Sequence, residues 1–267
     1  MSNLLGKLMS IFSSSNVGLQ NAIHNDIYTP PYTRMLDQYG VLKTSKGMTH
    51  TEKVRDTLYF AYRERAEIAL HVAYAYPGGD YFEFGSDGMG TFRNFLTAFD
   101  MNDLDQRFPE THFYAFDIFG DMQTKKCAIE EGDVNYFQSY VDNGKYEQAK
   151  KYVRDHNLFV DKCHLMRGFF QDTMTSTFMN DMRNAGKKIG FAFLDCNITS
   201  SYVFCLDAIF DFLNLGSFLY MDEYFMNKEV PALLDQYQLR LHKKGLRALY
   251  IRNAGTFGAL FLLVPTK

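Results

Sequence analysis

Tryptophan is absent from this chain, although aromatic residues make up 16% of it. Its 25 phenylalanines and 18 tyrosines must therefore supply the large side chains of any core. Cysteine is sparse. Cys127, Cys163, Cys196 and Cys205 include no C-x-x-C pair, and a disulfide framework does not suit a chain of 267 residues. We read them as reduced thiols, with Cys163 and Cys196 in or beside buried strands, in a cytoplasmic protein. A strong excess of either charge is also missing. The formal net charge is −3 with no long basic run, which argues against a nucleic-acid-binding protein. No apolar run is long enough to span a bilayer. Met1 to Phe12 carries an apolar rhythm with one lysine, but neither a continuous apolar stretch nor a small-residue cleavage site, so it reads as a short amphipathic helix.

Three motifs are missing too. There is no true G-x-G-x-x-G, which disfavours a nicotinamide-dependent oxidoreductase, and no Gly-Lys-Ser/Thr of a P-loop. No G-x-S-x-G elbow surrounds Ser200 and Ser201, so these serines read as caps of the next helix rather than as a nucleophile. His50, His71, His156 and His242 have no acid partner in the pattern and read as surface or packing residues.

What is present is an acid that recurs at the ends of four apolar runs. The runs are Asp80-Tyr81-Phe82-Glu83-Phe84-Gly85, Phe113-Tyr114-Ala115-Phe116-Asp117, Ile189 through Asp195, and Phe218-Leu219-Tyr220-Met221-Asp222-Glu223. From Asp80 the pattern alternates strand and helix. Strands are predicted at 80–84, 111–117, 162–167, 189–195 and 217–222, and helices at 89–99, about 146–156, 171–185, 200–214 and 229–243. The last two strands, 245–252 and 256–264, are joined by a link too short for a crossover, so they form an antiparallel hairpin. The expected fold is α/β: a Rossmann-like, seven-stranded, mostly parallel sheet with a terminal antiparallel hairpin, plus an N-terminal helical arm. Residues 1–76 are expected to be that arm, with a helix over 51–76 capped by Thr51, and residues 77–267 the main domain.

In an open parallel sheet the carboxyl ends of the strands share one edge, and ligands bind there. Glu83 ends an apolar strand before the glycine-rich turn Gly85-Ser86-Asp87-Gly88-Met89-Gly90. A buried acid is costly unless paired, and a cationic or amino-bearing ligand would pair it. Asp117, after the second strand, is placed to accept from ribose hydroxyls. Asp195, Asp222 and Glu223 end neighbouring strands and form an oxygen set suited to a hard divalent cation. Gly168 through Met174 admits two readings: Asp172 or Thr173 caps the next helix, or Phe169 or Phe170 offers an apolar face to a bound base.

These segments resemble the class I S-adenosylmethionine-dependent methyltransferases, and within them the macrocin and mycinamicin sugar O-methyltransferases. The likeness runs through Gly79 to Gly85 with Gly90, Phe116 to Met122, Gly168 to Met174, Phe193 to Ser201, and Tyr220 to Tyr224. The resemblance implies a fold, S-adenosylmethionine and Mg2+. It implies that Glu83, Gly85 and Gly90 line the methionine and ribose end of the cofactor, with Asp117 on the ribose. We assign Ser86, Phe169, Gln171 and Asp172 to the same cofactor-binding set. Asp195, Asp222 and Glu223 fall on the family's metal positions, and Asp195 is also the expected catalytic acceptor of a proton. The family usually has aspartate where this chain has Asn197, tyrosine where it has Thr199, and a pair of aspartates where it has Asp222-Glu223.

The implied activity is O-methylation of a small-molecule hydroxyl, such as that of a sugar or another natural-product moiety. The alternative is a chain that binds the cofactor or serves in assembly after losing catalysis. Tyr81, Phe84 and residues 13–76 are expected to form a lid over the acceptor, and the long arm also suits a contact in a homo-oligomer.

Overall fold

The computed structural model describes residues 64–86, 88–119, 145–225, 227–254 and 257–266. The first 63 residues of the expected arm, with the amphipathic helix of Met1 to Phe12 and the Thr51 cap, lie outside these residues, as does most of the polar stretch 121–157 that follows the second strand. Residues 64–74 are helical (α1). There follow β1 (Asp80–Phe84), α2 (Gly90–Met101), α3 (Leu104–Arg107), β2 (Phe113–Asp117), α4 (Lys145–His156), β3 (Cys163–Arg167), α5 (Phe170–Thr173) and α6 (Ser176–Asn184). The chain closes with β4 (Ile189–Leu194), α7 (Thr199–Ile209), β5 (Leu213–Met221), α8 (Glu229–Lys243), β6 (Leu246–Ala254) and β7 (Gly258–Pro265).

The seven strands form one sheet in the order β3-β2-β1-β4-β5-β7-β6. β1 to β5 run parallel, and β7 pairs antiparallel with both β5 and β6. This is the expected seven-stranded arrangement with its terminal hairpin. The order reverses direction at β1 and β4, which makes their carboxyl ends the switch point of the sheet.

Side-chain alternation divides the core into two layers. Phe82, Phe84, Ala192, Leu194, Leu219 and Met221 face one side with residues of α6, α7 and α8. Tyr81, Phe191, Phe193, Phe218 and Tyr220 face the other with Ile68, Ala69, Val72 and Ala73 of α1 and Phe92, Phe95 and Phe99 of α2. The central strands are buried on both faces, so they read as near-continuous apolar runs. The rings pack against one another at ordinary stacked and tilted distances, for example 4.3 Å between Tyr81 and Phe95 and 4.8 Å between Phe84 and Phe116.

Several expectations need correction. Tyr81 and Phe84 are fully buried on opposite faces of β1 and form no lid. The helix expected over 171–185 is two helices: the first ends with Met174 as its C-cap, and Thr175 caps the second, its hydroxyl accepting from Phe178 N at 3.2 Å. Neither Asp172 nor Thr173 caps α6. Ser200 and Ser201 lie inside the first turn of α7, whose N-cap position is Ile198, so they are not caps either. α7 ends at Ile209, followed by a short 3-10 turn, earlier than the expected 214. β5 begins at Leu213, and a bulge against β4 accounts for its extra residues.

The entrance to the sheet is tightly packed. The Tyr76 hydroxyl donates to Gly79 O at 2.7 Å, and a Cβ on Gly190 would stand 2.3 Å from Gly78 O and 2.8 Å from the Tyr76 ring. Only glycine fits where these backbones meet. Gly190→Ala is expected to destabilise the fold by about 1–3 kcal/mol, the usual cost of overpacking. Urea unfolding followed by circular dichroism tests this, and an unchanged midpoint would show that the strand entrance yields instead.

Candidate active site

The site is assembled by backbone bonds that continue the sheet past its strands. Gly85 N donates to Phe116 O, Asp195 N to Phe84 O and Asp222 N to Leu194 O, each at 2.9 Å. The residue after each strand is thus still held by its neighbour. Gly85 has a φ of +86°, and a Cβ there would stand 1.9 Å from Asp195 O. The turn after β1 therefore needs glycine twice over, for its backbone conformation and for its approach to β4. These contacts bring Glu83, Asp195, Asp222 and Glu223 to one edge.

Asp195, Asp222 and Glu223 each offer a carboxylate oxygen within 4.8 Å of the other two. They do not share one environment. Asp222 accepts from the Tyr220 hydroxyl at 2.6 Å, and that hydroxyl also lies 2.9 Å from Ala254 O. Glu223 is buried and takes a short hydrogen bond from the Tyr202 hydroxyl of α7. Residues of opposite parity leave a strand on opposite faces, and here that sends Asp222 toward α1 and Glu223 toward α7.

Sequence reasoning missed Arg65. It lies on α1, and its Nη2 sits 2.8 Å from Asp222 Oδ2 and 3.2 Å from Asp195 Oδ2. Its guanidinium is also 5.8 Å from the centre of the Phe193 ring. One signal would have found it. Arg65 lies three residues before Ile68 and four before Ala69, on the apolar stripe of a predicted helix, and a charge on that stripe needs a buried counter-ion.

The electrostatics follow from this packing. Burial pushes the Glu83 carboxyl up to about 8, while the short hydrogen bond from the Tyr81 hydroxyl and the charge of Arg65 pull the other way. Burial, then the charge of Asp222, raises Glu223 to about 7. Burial and Asp222 also raise Asp195 well above the usual carboxylate range, against the pull of Arg65. Burial alone would lower Arg65, but Asp195 and Asp222 outweigh it and hold the guanidinium charged.

The remaining candidate residues spread along the same edge. Ser86 is buried behind Glu83, with its hydroxyl 3.4 Å from Glu83 O. Gly90 opens α2 directly after Met89, which adopts a left-handed backbone. Asp117 ends β2, and its Oδ1 accepts from Phe119 N at 2.7 Å. Asp117 O accepts from Gly168 N at 3.0 Å, which ties the ribose candidate to the loop carrying Phe169, Gln171 and Asp172. Phe169 is half-buried, and Gln171 and Asp172 are exposed at the start of α5. Phe170 instead turns into the core, its ring 5.4 Å from that of Phe84. Asn197 is exposed with a φ of +62°, and Thr199 is engaged with Glu229, its hydroxyl 2.7 Å from Oε2.

Two other groups lie apart from this edge. His112 and His164 form a stacked pair with ring nitrogens 2.8 Å apart, a pairing across β2 and β3 that sequence reasoning did not foresee. A cavity of about 580 Å³ opens at the amino ends of the strands, between residues such as Asp80, Glu110, Lys187 and Asn214. It lies at the opposite edge of the sheet from the acids. Beside the acids themselves, Cys196, which follows Asp195, and Cys205 of α7 are free buried thiols with sulfurs 3.9 Å apart.

Comparison with known proteins agrees with this layout. The family model of the macrocin O-methyltransferases (TylF) matches residues 88–249, more than half of the chain. The solved O-methyltransferase NovP is 16% identical, with a TM-score of 0.54 over 91% of this chain and 95% of its own. The calicheamicin methyltransferase CalS11 is 18% identical, with a TM-score of 0.49 over 88% of this chain and 93% of its own. No curated protein matches by sequence. At these identities the likeness to NovP shows a shared fold. The family match covers the strands, turns and acids from the start of α2 to β6, and the chain belongs to the macrocin O-methyltransferase (TylF) family of S-adenosylmethionine-dependent methyltransferases.

Proposed function

We propose that the protein transfers a methyl group to a hydroxyl of a natural-product small molecule of sugar type. The observation that carries this reading is the single edge at which Glu83 and Asp117 close β1 and β2 and Asp195 and Asp222 follow β4 and β5. The names of the matched family and of NovP support the O-methyltransferase chemistry.

S-adenosylmethionine, when bound, supplies an electrophilic methyl carbon with its own leaving group. The chain's part is to orient and polarise. Glu83 is a buried acid held near neutrality, and the amino-acid ammonium of the cofactor would complete its pairing. Asp117 would accept from the ribose hydroxyls, and Gly85, Ser86 and Gly90 would allow close backbone approach along the turn. Phe169 would cover the base, with Gln171 and Asp172 at its polar rim. An in-line displacement depends on alignment above all, and the backbone bonds at the strand ends give this edge its rigidity.

The donor set of Asp195, Asp222 and Glu223 suits a hard divalent ion such as Mg2+, since each offers a carboxylate oxygen. Such an ion, when bound, lowers the pKa of a coordinated hydroxyl. Asp195 would take the proton that the acceptor hydroxyl loses, because its burial raises its basicity. We place the acceptor over Asp195 and Asp222, and assign its selection to the N-terminal arm, residues 1–76, and to the stretch 121–157.

Two measurements test the reading. Titration calorimetry with S-adenosylhomocysteine should give micromolar binding to the wild type. Asp117→Ala should weaken it about 10- to 100-fold, the value of charge-assisted hydrogen bonds. No binding by the wild type would remove the methyltransferase assignment, and unchanged affinity in the variant would remove the ribose role.

The second measurement is the pH dependence of the same binding. The cofactor's ammonium prefers ionised Glu83, whose carboxyl titrates at about 8 in the free protein. Affinity should therefore rise with pH, roughly five- to tenfold between pH 7 and 8.5, and fall as the carboxyl protonates. Glu83→Gln should bind more weakly and lose that slope. A wild-type profile as flat as that of the variant would place the ammonium elsewhere.

A further inference from the structure

The two acids that face α1 already hold a cation. One nitrogen of Arg65 bridges Asp195 Oδ2 at 3.2 Å and Asp222 Oδ2 at 2.8 Å. The pair is largely shielded, with the Arg65 side chain 16% exposed and the two acids 18% and 19%. Arg65 does not reach this point from a loose segment. Ile68, Ala69, Val72 and Tyr76, which follow it, are buried in the core layer beneath α2. The guanidinium is thus delivered by a helix packed on the sheet.

A magnesium-sized ion binds carboxylate oxygens at about 2.0–2.1 Å. To hold Asp195 and Asp222 together it would have to stand where Arg65 Nη2 now bridges them. Two cations in a shielded site also repel one another strongly. Glu223, the third donor, is held by Tyr202 rather than by Arg65, so the conflict is confined to the two aspartates.

We propose that Arg65 is a built-in counter-ion for Asp195 and Asp222 that a divalent cation must displace, so that guanidinium and metal hold the acid pair alternately. This rests on the reading above that these acids are the metal ligands. It has two consequences. The metal-free protein keeps its acids paired, and metal affinity is lowered by the need to break that pairing.

Manganese is the probe, because its free ion is counted directly by electron paramagnetic resonance. The full chain, Arg65→Gln and Arg65→Lys are titrated with Mn2+ and melted with and without it. Arg65→Gln should bind Mn2+ at least tenfold more tightly than the wild type, with Arg65→Lys between them. Metal-free Arg65→Gln should melt below the wild type and recover when Mn2+ is added. Equal Mn2+ affinity in wild type and Arg65→Gln, or binding by neither, overturns the proposal.

If Arg65→Gln does not fold, the wild type carries the test alone. Phenylglyoxal modification of Arg65, read by peptide mass spectrometry, should accelerate when Mn2+ is present, and a rate indifferent to Mn2+ overturns the displacement. S-adenosylhomocysteine titration of the same samples separates the two readings. A wild type that binds it, yet matches Arg65→Gln in Mn2+ affinity, keeps the methyltransferase assignment and loses the displacement.

Discussion

The parallel register of β2, β1, β4 and β5 is the constraint on which the site depends. Each strand hands its next residue to a carbonyl of its neighbour, through Gly85, Asp195 and Asp222 in turn. The acids are therefore placed by main-chain geometry before any side chain chooses a rotamer. A slip of one residue in any of these pairings would turn an acid to the other face of the sheet, because side chains alternate with a period of two. The buried layers on both faces oppose such a slip, since it would exchange the side chains packed against α1 and α2 with those packed against α6, α7 and α8.

Packing of this kind leaves like charges close together, and the protein answers with short-range partners. Tyr81, Tyr202 and Tyr220 place hydroxyls on Glu83, Glu223 and Asp222 respectively. Arg65 adds a full positive charge from α1. Phenolic donors stabilise an anion without neutralising it, whereas the guanidinium does both. The cluster thus divides into two sets. Glu83 and Glu223 rest on tyrosines, while Asp195 and Asp222 share the cation of Arg65.

How much of this was legible depends on the range of the interaction. The strands were readable because both their faces are buried, so each is an apolar run closed by an acid or a glycine turn. The hairpin was readable from its short link. The terminal acids could be assigned to one edge because parallel strands share it. The division between Asp222 and Glu223 was implicit in the alternation of their strand but was obscured by treating the acids as one set. Arg65 was hidden for another reason. Its partners are more than a hundred residues away in sequence, and only its place on an apolar stripe marked it. The interruption at Thr175 and the bulge in β5 escaped because local pattern does not say where a helix or strand yields to its neighbours. Tyr81 and Phe84 misled in the opposite sense, since proximity to a turn suggested a lid while their strand buries them.

The absence of tryptophan has an optical consequence. Near-ultraviolet absorption by this chain comes from tyrosine, with only weak phenylalanine bands beneath it. Three of the tyrosines are fully buried with their hydroxyls against the acids of the site. The protein therefore carries unlabelled chromophores against the acids of the edge, and any change in the charge of those acids would alter the surroundings of a ring fixed in the core. Near-ultraviolet circular dichroism of this chain therefore includes the rings at the site with no indole signal over them.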